Sequence, residues 1–497
     1  MQHWKRGLIF TPIALASMVI SVHLIENWRG NRAWEEWNKS RRAQGDTSDM
    51  SAYMQPPIPD SENYAAHPAV ARAMKAESED PKNQLTELAL PAQAPPSGSW
   101  TDGHREDLAA WEATLQARDL SAFLESYRVS LAGIEDASRR VRCRLPVDYT
   151  KGEIPTLFGH RGFTRTFRLR ALVRLRQNHP AEAADDIQTI FRIANVLESD
   201  PALMTHLLRV VMVRLMGQPL WEGLDARAWN ETQLMALQDS LSRLDLLKTS
   251  RRPFEVERLY WVQESHRRPQ LYRRFISEKT WGEDIAKLGW GWRLLCGNFF
   301  PEGWILQNNL SHDRQWVEVF LGALPKGEHR LNARILDRAK ASWAQREKGK
   351  ASLGPYTVIA SDNTPALIQL VKRTVRTQVF IDQAIQVCAL ERFRLAKGHY
   401  PSVLEELCPT YLGQLPEDPV GEGSYRYHRL NSDSFKLWSV GWDGKDDHGE
   451  PVMESDFVVM SGEGQLAQGW PHFEQNRKGP LTESLDRGDW AWPVQKQ

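Results

Sequence analysis

At 497 residues the chain has room for about three domains, and 63 Lys+Arg against 63 Asp+Glu, with 41% hydrophobic residues, excludes both a disordered chain and a polybasic nucleic-acid binder. Four cysteines, Cys143, Cys296, Cys388 and Cys408, none in C-x-x-C spacing, exclude a disulfide-dense secreted scaffold and a zinc or redox site of that motif.

After a short tail, 1–6, residues 7–25 (GLIFTPIALASMVISVHLI) are uncharged and long enough to cross a bilayer once as a helix. Two other readings stand beside the anchor. A signal peptide cut at Ala14-Leu15-Ala16 would strand apolar Met18 to Ile25 on the mature protein, and a buried soluble helix would rarely lack a polar face. The expectation is an uncleaved signal anchor. Arg29, Arg32, Lys39, Arg41 and Arg42 behind the span outnumber Lys5 and Arg6 ahead of it, which counts toward a cytoplasmic body. A short first tail that stays inside, and a long domain that translocates regardless of charge, favour the opposite side, and that orientation is adopted.

Residues 26–45 read as a juxtamembrane helix, with Trp28, Trp34 and Trp37 among basic residues, suited to the headgroup layer or equally to a solvated stub. Gly45-Asp46 ends it. Pro56, Pro57 and Pro59 impose an extended path, and the Pro-, Ser- and Ala-rich stretch beyond makes 46–105 an extended segment and linker.

From 106 to 350 a helical period dominates and predicts an α-helical body, an irregular bundle or short solenoid of helical hairpins. A helix is expected over 106–144, a loop over 146–162, and a helix over 163–177; Pro180 and Pro201 mark first turns, and Asn230 with Gln233 makes a capping box. The pair 166–177 and 180–198 resembles one tetratricopeptide-like hairpin, with Ile187, Ile190, Phe191 and Ala194 facing back across the turn. Trp281, Trp290, Trp292, Trp304 and Trp316 fall close together, as an aromatic core, a partner or membrane surface, or the lining of a substrate cleft.

No G-x-x-x-x-G-K-[ST], H-E-x-x-H or G-x-S-x-G motif occurs, and no small-molecule ligand is identified. Gly462-x-Gly464-x-x-Ala467 imitates a dinucleotide turn but leaves too little chain for the fold. Asp443, Asp446 and Asp447 lie in a glycine-rich turn after a strand, an oxygen-rich loop of the kind that holds Ca2+ or is simply a polar turn.

A C-terminal module, 364–460, opens with a long helix from Pro365 to Lys397 stopped by Gly398 and Pro401. Gly398-x-Tyr400-Pro401, Leu415-Pro416-x-Asp418-Pro419, strands at 425–427 and 435–441, and the Asp443 turn follow; 461–497 reads as a tail. This order resembles the globular part of the type II secretion major pseudopilin. The resemblance implies a small α+β module and calcium on Asp443, Asp446 and Asp447. The chain departs from that family in lacking its N-terminal assembly motif, which speaks against building a pilus. Glu26-Asn27-Trp28-Arg29-Gly30, Pro56-Pro57-Ile58-Pro59-Asp60, Gln218-Pro219-Leu220-Trp221 and Cys388-Ala389-Leu390-Glu391 are similar to a bacterial family of single-pass membrane-anchored proteins with no assigned activity. Together these features lead to the expectation of a mainly α protein of the inner (cytoplasmic) membrane, its bulk periplasmic, acting as a non-enzymatic scaffold for envelope proteins. The alternative is a membrane-associated enzyme with its site in the Trp-rich 281–316 region.

Overall fold

The computed structural model describes residues 2–47, 49–79, 124–155, 157–281, 300–348, 356–455 and 481–492. It is mainly helical with a small sheet region near the C-terminus, as the hydrophobic periods require.

The first element, α1 (Gln2–Ala43), is one unbroken helix, about 63 Å long at 1.5 Å per residue, ended by Gly45 in the left-handed region. Among the described residues no helix is long and apolar enough to cross a membrane. The expected span 7–25 lies partly outside them, because the side chains of 7–13, 15 and 16 are not described.

The linker expectation does not hold for 46–79. Asp49 and Asn63 cap short 3-10 turns, α2 (Pro68–Glu79) follows, and Tyr64 and Val70 are fully buried in the main core. Proline fixes an extended path, but the path lies on the body: the Arg140 guanidinium donates to the Asp60 and Asn63 carbonyls, and Tyr64 N–H to the Arg142 carbonyl. Residues 80–105 lie outside the described residues.

In the body, α3 (Arg128–Ala137) stops well before 144, because Ser138 turns back on the Glu135 carbonyl and the chain then pairs with Asn63. The helix expected from 163 begins earlier, as α4 (Phe158–Arg176), and packs with α5 (Pro180–Val196) and α6 (Leu203–Asp225). Ile187, Ile190, Phe191 and Ala194 are buried, as the hairpin reading requires. Asp200 rather than Pro201 organises the start of α6, accepting from Ala202 N–H, Thr205 and Tyr149. The capping box of α7 (Glu231–Ser242) forms between Asn230 and Gln233. Then come α8 (Arg251–Arg267), α9 (Pro269–Trp281), α10 (Glu302–Gln315), which continues into a π-helical turn at Trp316–Leu321, and α11 (Ala333–Lys348).

The long helix α12 (Val358–Lys397), about 60 Å, starts seven residues before Pro365 and carries that proline inside it. Its C-terminus is capped by Gly398 at φ 80°. Strands β1 (Arg426–Arg429) and β2 (Phe435–Ser439) form an antiparallel hairpin, Arg426 opposite Trp438. The segment expected as a tail completes the sheet region. β3 (Pro451–Ser455) pairs with β4 (Leu481–Gly488), and β5 (Trp490–Ala491) adds to β2, with Trp492 stacked on Phe380 of α12.

Candidate functional site

Three sites stand out, and the first is the seam between α1 and the body. Gly30 and Gly303 bring α1 and α10 into backbone contact: a methyl group on Gly30 would sit 2.6 Å from the Gly303 Cα, and one on Gly303 would overlap the Glu26 carbonyl and lie 2.8 Å from the Asn27 Cα. Around this point the polar groups are consumed. Gly303 N–H donates to Asn27 Oδ1 (2.8 Å), and the buried Glu26 carboxylate accepts from Trp304 Nε1, the Tyr356 hydroxyl (both 3.1 Å) and Arg29 (2.8 Å). One level further along, Trp37 Nε1 donates to Asp313 at 2.7 Å.

Asn27–Gly303 and Trp37–Asp313 both join residues 276 apart, so α1 and α10 run parallel in fixed register. Arg258 of α8 completes the seam, paired with Asp313 at 3.0 Å and Asp46 at 2.9 Å, while Arg41 also holds Asp46. Arg41 and Arg314 stack on Trp37. Burial raises the Asp313 pKa, and the Arg258 charge and the Trp37 indole act against that rise. A cavity of about 40 Å³ lies under α1 here, bordered by Trp34, Arg42, Arg258 and Asp313, with room for water rather than a metabolite. The 26–45 segment is therefore neither a solvated stub nor free of the body.

The second site is the Asp443 turn. Asp443 accepts from Lys445 N–H (3.1 Å) and Gly488 N–H (3.2 Å), and Asp446 from His448 N–H and Trp438 Nε1 (both 3.0 Å). Asp447 is salt-bridged to Lys445 at 2.5 Å. The three carboxylates share the turn but do not converge, and among the described residues no group of three metal-ligating side chains is assembled. Sequence reasoning missed Asp489, placed in the supposed tail. It is buried beside this turn, its Oδ2 accepting from Asp447 N–H (2.9 Å) and Gly449 N–H (2.7 Å) and its Oδ1 without a partner. Burial, then the charges of Asp446 and Asp447, raise its pKa.

The third is a junction at His329, between a body loop and the C-terminal module. Nδ1 meets Asp245 at 2.9 Å and Nε2 meets Asp382 of α12 at 3.0 Å; Asp382 also accepts from the Tyr425 hydroxyl at 2.8 Å and from Gln378. Burial lowers the His329 pKa, but the two carboxylates outweigh it and raise it to about 10. With both ring nitrogens donating to carboxylates, this imidazolium is a fastening, not a proton shuttle. Lys372 plays a comparable part, buried against Trp442 and paired with Asp486, so that α12 holds the β4 strand.

Of the Trp-rich stretch, Trp316 is buried against Phe254 and Phe320, and Trp304 packs on Phe300 and Tyr356 while donating to Glu26. Both are core or seam residues. Trp290 and Trp292 lie outside the described residues, and the Trp281 side chain is not described. No protein-family model, curated protein or solved structure matches the chain.

Proposed function

We propose that the chain is a membrane-anchored, non-enzymatic scaffold of the bacterial envelope. The first half of α1 sits in the inner membrane, and the body and the pseudopilin-like module, on the periplasmic side, present surfaces to other envelope proteins. The observation that carries this reading lies just ahead of the seam. Met18, Ile20, Val22, Leu24 and Ile25 are all exposed, and at 3.6 residues per turn they fall on two roughly opposite faces of the helix. A helix with exposed apolar side chains on opposite faces suits a lipid environment, and sequence 7–25 supplies the length of a span.

Because the same helix then docks on α10 through Gly30 and Gly303, the anchor is a fixed strut, which suits a scaffold better than a tether. The test is extraction of membranes at alkaline pH. The full chain is expected to stay with the bilayer and a chain lacking 7–25 to be released; complete release of the full chain contradicts the proposal. A reporter fused after Gln497 is expected to be active only in the periplasm, and cytoplasmic activity alone would overturn the orientation.

We also propose a Ca2+ site at the Asp443 turn, supported by the unpartnered Asp489 oxygen. Asp443, Asp446 and Asp447 would have to turn toward Asp489 to hold the ion, since among the described residues they assemble no ready-made site. The ion would supply charge neutralisation between loops 443–449 and 488–489, not catalysis. At a free Ca2+ concentration 100-fold above Kd the full chain gains about 2.7 kcal/mol. A calcium-dependent rise in Tm that is absent from Asp489→Asn is expected. An unchanged Tm at millimolar calcium contradicts the site.

A further inference from the structure

We infer that the corner between α8 and α9, residues 266–274, is a second membrane contact, a basic surface for the headgroups of anionic phospholipids. The inference rests on the anchor reading above. Its geometry comes from the seam. Going along α1 from Glu26 to Asp46, the chain leaves the end of the apolar span, and α10 runs parallel with it from Gly303 to Asp313. Helix α8 runs the other way. Its Arg258 meets Asp313 and Asp46 at the far level, whereas Ser265, near its C-terminus, accepts from Asn309 Nδ2 at 2.7 Å, on the way back toward Gly303. The end of α8 thus heads back toward the level of Glu26, and α9 continues from it.

Helix α9 reaches that level. Tyr272 and Ile276 pack with Phe300, Ile305, Val358 and Ile359, and the partly buried Trp304 of the same cluster is the residue whose indole donates to Glu26. A bilayer in which α1 is inserted up to Ile25 therefore meets this corner as well.

The chemistry there suits an anionic surface. Arg267, Arg268, Arg273 and Arg274 stand against Glu264 and Glu302, an excess of positive charge, and His266, Arg267, Arg268 and Arg274 are exposed. Leu271, between the two arginine pairs, is 37% exposed and gives an apolar side chain to insert among headgroups. On α1 itself, Trp28 is exposed under the Arg32 guanidinium, 5.6 Å from its ring centre, the aromatic and basic pairing of a membrane interface. A few arginines at an anionic leaflet contribute little beside a whole apolar span, so the corner fixes the tilt of the body rather than its attachment.

The test uses the full chain reconstituted in nanodiscs of phosphatidylcholine alone and of phosphatidylcholine with phosphatidylglycerol, with hydrogen exchange read over 264–276. Slower exchange in the anionic discs is expected, with loss of the difference in Arg268→Gln/Arg274→Gln and its return in Arg268→Lys/Arg274→Lys. Equal exchange in both discs overturns the inference. The same slowing by inorganic phosphate in neutral discs also overturns it, as it would show a free-anion site. Alkaline extraction of the same sample separates the two readings: a chain released from the disc means that the anchor reading has failed, and a retained chain with an indifferent corner means that only this inference has.

Discussion

Alanine at Gly303 is expected to undock α1 from the body. The added methyl meets backbone on the facing helix, the Glu26 carbonyl and the Asn27 Cα, and no side-chain rotation relieves that overlap. Overpacking costs about 1–3 kcal/mol, occasionally more, and the upper end applies where backbone meets backbone. The loss should appear as a Tm several degrees lower, with the Trp304 indole emission shifted to the red as its bond to Glu26 opens. Gly413→Ala serves as the control, since a methyl there meets nothing within 4 Å; its effect should stay within about 0.5 kcal/mol. Equal Tm for Gly303→Ala and the parent chain would mean that the close approach is not part of the native fold.

Removal of the His329 ring is the second large effect. His329→Ala leaves the Asp382 carboxylate, only 4% exposed, facing Asp245 without the cation between them. Breaking a buried pair by deleting one partner costs about 3–5 kcal/mol; Tyr425 and Gln378 still donate to Asp382, so the lower end is expected. The pH dependence follows from the direction of the shift. A folded pKa of about 10 against an ordinary 6.5 means that the imidazolium is bound more tightly in the native state. Its stabilisation is fully present below pH 6.5 and declines as pH rises toward 10. Denaturant midpoints between pH 6.5 and 10 should therefore fall in the parent chain and fall less steeply in His329→Gln. Parallel pH curves for the two proteins would remove His329 as the source.

What the sequence revealed and what it hid divide along range. The helices of the body were legible because their signals are local: the Asn230 and Gln233 box, Pro180 at a first turn, the apolar face of 187–194. The seam was not, because Gly30 and Gly303 have no mark in their own neighbourhoods that pairs them across 273 residues of chain. The Pro-rich segment misled for a related reason: proline sets the local path but is silent on what the path lies against, here Arg140 and the core around Tyr64.

The C-terminal end carries a strand signal of its own. Trp490 and Trp492 alternate as a strand demands, behind a Gly488-Asp489 turn, and that turn brings the buried Asp489 to the Asp443 loop. Asp443, Asp446 and Asp447 share one turn, but side-chain direction is a tertiary matter, and the fold aims Asp443 and Asp446 at backbone N–H groups. His329 sits in a loop without periodicity, and its two carboxylates come from residues 84 and 53 positions away.

From Glu26 onward, α1 is docked along the body on α10. Hydrogen exchange over residues 26–43 of the full chain in a bilayer tests it most directly. A helix exposed on all sides frays and exchanges quickly, whereas one packed along α10 exchanges only when that contact opens. Protection of 26–43 is expected to match that of 303–313 and to be lost from both segments together in Gly303→Ala. Fast exchange of 26–43 beside a protected 303–313 in the parent chain would contradict it, leaving the anchor a tether.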